Sequence, residues 1–248
     1  MTRDGLEERG AAGARTVESW NAMSATPLTI EVPGAGDVSG LWQSPAHPRA
    51  CLVLAHGAGA GMTHRSMVAI ADGLEGLGVA TLRYQFPFME AGGKRPDTPA
   101  VAQATVRAAV AEARTRANGA PLFAGGRSFG GRMTSQAQAL EPLAGVRGLV
   151  FFAFPLHPAG KPAVTRAEHL SAIAIPMLFL QGSRDALADL DLLGRTVDGL
   201  GDRATLDLIG DADHSFHVPA RTGRKDPEVL AAALARAAQW MTICASTA

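Results

Sequence analysis

The most constraining feature of this chain is an alternation. Short continuous apolar runs are separated by stretches that carry one apolar stripe of helical period. Cys51–Ala55 is such a run, and others lie at Val79–Tyr84, Leu122–Ala124, Val146–Phe154, Met177–Leu180 and Ala204–Ile209. A strand with one solvated face alternates apolar and polar residues, whereas a continuous run needs cover on both faces. The intervening stripes supply that cover. Met67, Ile70, Leu74 and Leu77 share one helical face, as do Val106, Val110, Ala113 and Ala117, between Thr98-Pro99 and Asn118-Gly119. Leu190, Leu193 and Val197 form a third stripe, and Leu230, Leu234, Ala237 and Met241 a fourth, behind Asp226-Pro227. Strands alternating with such helices make βαβ units and a mostly parallel sheet. Leu28–Val32 and Gly40–Gln43 flank a Pro-Gly turn and read as an antiparallel edge. The expectation is an α/β fold of about eight mostly parallel strands flanked by helices, in one domain over residues 27–248. Residues 1–26 read as a mobile extension or short helix.

Composition narrows the function classes. A chain that is 47% hydrophobic builds a core and is not disordered. Its 23 basic and 23 acidic residues cancel, which leaves no general basic face for nucleic acid. Two cysteines make no disulfide framework, and Cys51 and Cys244 read as small apolar residues of a strand and a helix. No HExxH, EF-hand or ligand cluster occurs, so neither metal nor cofactor is expected. No signal-peptide core and no apolar run near ~18 residues is visible, so a cytoplasmic protein with no membrane partner is expected.

In an open α/β sheet, ligands bind beyond the carboxyl ends of the strands. Three strand ends carry chemistry. After Leu122–Ala124 comes Gly125-Gly126-Arg127-Ser128-Phe129-Gly130-Gly131, which contains G-x-S-x-G, the nucleophile elbow. Ser128 would sit on a sharp strand-to-helix turn, with Gly126 and Gly130 removing side chains where backbones approach. A helix with Met133, Ala137 and Leu140 on one face would follow, its N-terminus favouring developing negative charge.

The run Cys51–Ala55 ends in His56-Gly57-Ala58-Gly59-Ala60-Gly61. Such a loop exposes backbone amides, and an oxyanion site would combine the amide of Gly57 or Ala58 with that of Phe129. A dinucleotide loop is disfavoured, because Met62 stands where G-x-G-x-x-G needs its third glycine. His56 reads as a structural residue holding the loop.

Asp185 follows the run Met177–Leu180, and His214 follows Ala204–Ile209. The order Ser128, Asp185, His214 is the one the elbow fold requires. His214 would act as general base, with Asp185 fixing its tautomer. Asp189 and Asp191 are alternative acids but fall within the next helix. Asp211 and Asp213 stand too close to His214 in sequence to orient it easily. His217 is the alternative base, further from the strand end.

With these residues in view, the sequence resembles the α/β-hydrolases from about residue 27 onward. LAHGAGAGM at 54–62, GGRSFGG at 125–131, GDADHSF at 210–216 and RYQFPFMEAGGKRPD at 83–97 are similar to a small lidless branch near dienelactone hydrolase. That branch also includes the hydrolase-like domain of a histone-acetyltransferase complex subunit. The resemblance implies an α/β-hydrolase fold with Ser128 as nucleophile, His214 as base and Asp185 as acid. Dienelactone hydrolase itself uses cysteine where this chain has serine, so a dienelactone substrate is not implied.

The segment from Tyr84 to Pro96 is long for a strand-to-helix link. Phe86, Phe88 and Met89 either wall an acyl pocket or seat the loop on the core, with Gln85, Lys94 and Arg95 at the rim. Arg127 either meets an anionic substrate or pairs with an acid behind the elbow. Only about twenty residues, from Pro155 to Ile175, join the sixth and seventh strands, too few for a cap domain. The expected function is a serine hydrolase acting on a small ester or thioester through an acyl-enzyme, as a monomer or homodimer. The competing readings are a hydrolase-like scaffold for protein partners and, less favoured, a peptidase or acyltransferase.

Overall fold

A computed structural model describes residues 25–246. The expected N-terminal extension lies outside the described residues except for Ala25 and Thr26, and Thr26 already opens the first strand.

Eight strands form one sheet: β1 (Thr26–Val32), β2 (Gly36–Gln43), β3 (Ala50–Ala55), β4 (Val79–Tyr84), β5 (Leu122–Arg127), β6 (Val146–Phe152), β7 (Met177–Gly182) and β8 (Ala204–Ile209). Their spatial order is β1-β2-β4-β3-β5-β6-β7-β8. The β1–β2 and β2–β4 pairs are antiparallel and the remaining five are parallel. Six α-helices accompany them among the described residues: α1 (Arg65–Gly76), α2 (Pro87–Glu90), α3 (Pro99–Arg116), α4 (Phe129–Leu140), α5 (Leu190–Leu200) and α6 (Asp226–Ser246).

The continuous apolar runs are buried on both faces, as their pattern requires. In β3, Cys51, Val53 and Ala55 face the layer that holds α3, α4 and α5, while Leu52 and Leu54 face α1 and α6. Burial pushes the Cys51 thiol up to about 12, so it stays a neutral core residue. The sheet becomes less buried at its edges, β1 and β8, where Asp207 of β8 pairs with Arg236 of α6.

Two strand boundaries differ from expectation. β5 runs on through Gly125 and Gly126 to Arg127, because both glycines remain in the parallel ladder with β3 and β6. β6 stops at Phe152, and Ala153 then takes φ 58°, which turns the chain. In α4, Met133 and Ala137 are buried as expected, but Leu140 is exposed.

The expectation that no segment has the length and character of a membrane span needs correction. α6, at 21 residues and with an 18-residue stretch of mean hydropathy 1.3, meets both criteria. Alanine-rich turns raise its hydropathy without a continuous run of large apolar residues. Its buried stripe, Val229, Ala233, Leu234, Ala237 and Met241, packs on the sheet beside α1.

The connection from β6 to β7 holds one 3-10 helix, Thr165–Ala172, packed on α4 and α5. It adds no cap over the carboxyl ends of the strands.

Candidate active site

The elbow is built by backbone proximity. Ser128 has φ 50° and ψ −116°, a conformation that costs a non-glycine residue about 1–3 kcal/mol. Its amide donates to Phe152 O at 3.0 Å, and its carbonyl accepts from the Arg132 amide at 3.1 Å, so strand and helix hold the turn from both sides. A Cβ at position 130 would lie 2.5 Å from His56 O and 2.6 Å from Ala55 O, and one at 126 would lie 2.4 Å from Ala55 O. Only glycine lets α4 start this close to the end of β3.

The acid and the base come from the ends of β7 and β8. A Cβ at Gly182 would meet Ala212 O at 2.4 Å and Asp213 O at 2.6 Å. Glycine there lets the histidine loop close onto the turn that carries Asp185. His214 Nδ1 then lies 2.7 Å from Asp185 Oδ2, and His214 Nε2 lies 2.9 Å from Ser128 Oγ. The structure thus brings together the three residues named from sequence. The side chain of Asp185 is fully buried, and that of His214 is 25% exposed.

Asp185 is held by more than histidine. Its Oδ1 accepts from the Leu187 amide at 2.8 Å, and its Oδ2 also accepts from Gln181 Nε2 at 2.5 Å. The N-cap of α5 is Asp189, whose Oδ1 accepts from the Leu192 amide, so Asp185 remains available to the imidazole. Asp191 lies in the first turn of α5, as expected of an alternative acid inside that helix. Asp213 shapes the histidine loop by accepting from the Ser215 and His217 amides. His217 faces Asp226 at 2.8 Å, both exposed, and makes no contact with Ser128.

The loop after β3 lies against the elbow. A Cβ at Gly57 would stand 3.7 Å from Arg127 O and 3.9 Å from Ser128 Cβ, and Ala58 follows it. Phe129 is the first residue of α4, so its amide has no carbonyl one turn earlier in the helix. These are the positions expected to supply the oxyanion donors. His56 is fully buried: its Nε2 accepts from the Phe86 amide at 3.0 Å and its Nδ1 faces Gly57 O at 2.7 Å. Burial holds its pKa below the ordinary histidine value, which keeps Nε2 an acceptor. It has the structural role expected of it.

The pocket residues divide. Phe86 is fully buried, with ring contacts to His56 at 5.0 Å and Phe129 at 5.3 Å, so it seats the loop on the core and walls no pocket. Phe88 is 6% exposed and packs edge-on against Phe129, again behind the site. Met89 is half-buried and lies beside Gly61, at the far end of the loop after β3. Gln85 does not line a rim: its Oε1 accepts from the Met62 amide and braces that loop. The long link is pinned at both ends, by Glu90 accepting from Ser39 and by Asp97 accepting from the Phe88 amide. Arg127 is committed within the protein, donating to Ser66 Oγ, His214 O and Ser215 Oγ. Burial lowers its pKa, offset by the charges of Asp213 and Asp185. It ties the backbone of the base to α1 across the elbow.

Two contributors escaped sequence reasoning. Gln181, the penultimate residue of β7, donates to Asp185 Oδ2 and holds it. His157 repeats the device of His56: its Nε2 accepts from the Asp189 amide at 2.7 Å and its Nδ1 faces Pro158 O at 2.8 Å. Its amide also donates to Leu187 O, so the acid-bearing turn is clamped to the end of β6. A groove of about 370 Å³ between the 3-10 helix and α5 contains none of the triad residues.

The alpha/beta hydrolase domain family model matches residues 48–242. A lidless α/β serine hydrolase from Xanthomonas campestris superposes with a TM-score of 0.68 at 21% identity, covering 88% of this chain and 95% of that one. Dienelactone hydrolase from Anabaena variabilis gives 0.69 at 18% identity, over 89% and 97% of the two chains. Est1E from Butyrivibrio proteoclasticus gives 0.67 at 15% identity, over 88% and 99%. On a family match of that extent, the chain belongs to the α/β-hydrolase domain family.

Proposed function

We propose that this protein is a serine hydrolase that cleaves small esters or thioesters through an acyl-enzyme. The observation that carries the proposal is the unbroken path from Ser128 Oγ through His214 to the buried carboxylate of Asp185, at 2.9 Å and 2.7 Å. Ser128 Oγ attacks the substrate carbonyl while its proton passes to His214 Nε2. Asp185, already held by Gln181 and Leu187, stabilises the imidazolium through Nδ1–H. The Phe129 amide, with that of Gly57 or Ala58, receives the oxyanion, each donor contributing about 2.7–4 kcal/mol in sites of this kind. Collapse of the adduct breaks the bond to the leaving alcohol or thiol, which takes the proton from Nε2. Water then repeats the sequence on the acyl-enzyme and restores Ser128. Every step uses this chain's own residues. The open site gives water ready access, which favours hydrolysis over transfer to another acceptor.

The test is turnover of 4-nitrophenyl butyrate. Ser128→Ala should reduce it by on the order of 10⁴-fold or more while the fold stays intact, because the triad acts as a unit. Unchanged turnover in Ser128→Ala would contradict the assignment.

A further inference from the structure

The first turn of α4 carries an arginine without a counter-charge. Arg132 stands four residues after Ser128, in the first turn of α4, and its amide donates to the Ser128 carbonyl. Helical side chains lean toward the N-terminus of their helix. The stem of Arg132 therefore leans over the turn that holds the nucleophile. Opposite it runs the 3-10 helix Thr165–Ala172, joined to α4 by Ser135 Oγ and His169 Nε2 at 2.7 Å. This helix brings Arg166 close enough for its charge, after burial, to lower the Arg132 pKa. Burial and the charge of Arg132 together hold His169 down at about 4.

No acid answers these cations. Among the described residues, neither Arg132 nor Arg166 forms an ion pair, and Arg132 Nε is buried without a hydrogen-bond partner. Other buried arginines differ. Arg127 has Asp213 and Asp185 nearby, and Arg83 has Asp72 and Glu75. The half-buried Arg132, with no protein carboxylate to pair with, in the first turn after the reacting serine, is built to receive an anion from outside. Arginine suits that role because its planar donor fork matches a carboxylate or phosphate.

We propose that Arg132, assisted by Arg166, binds an anionic group on the substrate, so that the preferred esters carry a negative charge close to the scissile carbonyl. This rests on the serine-hydrolase reading and specifies its substrate class. The anion belongs either to the acyl part or to the leaving alcohol.

The experiment measures kcat/KM for two matched pairs of esters. One pair is 4-nitrophenyl butyrate and mono-4-nitrophenyl glutarate, with the charge on the acyl side. The other is phenyl butyrate and 4-carboxyphenyl butyrate, with the charge on the leaving side. The wild type should prefer the charged member of at least one pair. Arg132→Gln should lower that preference about tenfold to a hundredfold, the worth of a charge-assisted hydrogen bond. Arg132→Lys should restore part of it. Arg166→Gln, outside the elbow, should lower it less, and it serves as the test should Arg132→Gln fail to fold. A charged-to-neutral ratio that is the same in wild type and both glutamine variants, for both pairs, would overturn the proposal. Neutral-ester turnover that survives Ser128→Ala would instead overturn the hydrolase reading beneath it.

Discussion

His214 and His217 lie three residues apart, and each faces a carboxylate through Nδ1, at 2.7 Å and 2.8 Å. Their surroundings separate them. His214 meets a fully buried acid that is bonded to Gln181 and Leu187, and its second nitrogen meets Ser128. His217 meets an exposed Asp226, which otherwise accepts only from the Val218 amide, and its second nitrogen meets no described side chain. The same pair of groups thus forms part of a hydrogen-bonded Ser–His–Asp chain in one place and a solvated surface contact in the other. Burial of the acid, its additional donors and a third partner in line make the difference, since exposed ion pairs contribute little.

The largest expected contrast is in turnover of a neutral ester. His214→Ala should lose about 10⁴-fold or more, as triad deletions do, whereas His217→Ala should stay within about twofold of wild type. Comparable losses in the two variants would erase the distinction. The next contrast lies in the acids. Asp185→Asn leaves the fold but mis-sets the imidazole tautomer, and should cost about 10⁴-fold in kcat. Asp226→Asn should leave kcat near that of wild type, which the same assay reads.

The smallest effect is a titration. Asp226 raises the pKa of His217 above its ordinary value, through its hydrogen bond first and its charge second. A raised folded-state pKa gives stability that is fully present below about 6.5 and is lost as pH rises through the folded value. In Asp226→Asn the His217 imidazole should titrate closer to 6.5, followed by its ring-proton NMR shifts. Full exposure of both groups keeps the accompanying change in stability small. An unmoved titration would mean that Asp226 does not set it.

Much of the frame was legible in the sequence. β3, β4 and β7 read clearly because a strand covered on both faces has no polar alternation to obscure it. Ser128, Asp185 and His214 were legible because each follows a strand, in the chain order the fold demands. His157, Gln181 and Gln85 were not. Each bonds a backbone amide or a carboxylate presented by another turn, and no local spacing records such a contact. Arg127 was read with two roles open, and its three partners lie 61 to 88 residues away in sequence. The run Phe86-Pro87-Phe88-Met89 announced apolar surface without its direction. The structure turns both rings inward onto His56 and Phe129 and leaves Met89 half-buried beside Gly61. Arg132 escaped because its importance lies in a missing partner, which only the packing of α4 against the 3-10 helix reveals.

The central claim is that Ser128 is activated by His214 and by no other base. Labelling by a fluorophosphonate probe, with the modified residue located by mass spectrometry, tests it most directly. Wild type and His217→Ala should label rapidly at Ser128, while His214→Ala should label at a rate near that of an ordinary surface serine. Equal labelling of Ser128 in wild type and His214→Ala, or the absence of labelling in the wild type, would contradict the account.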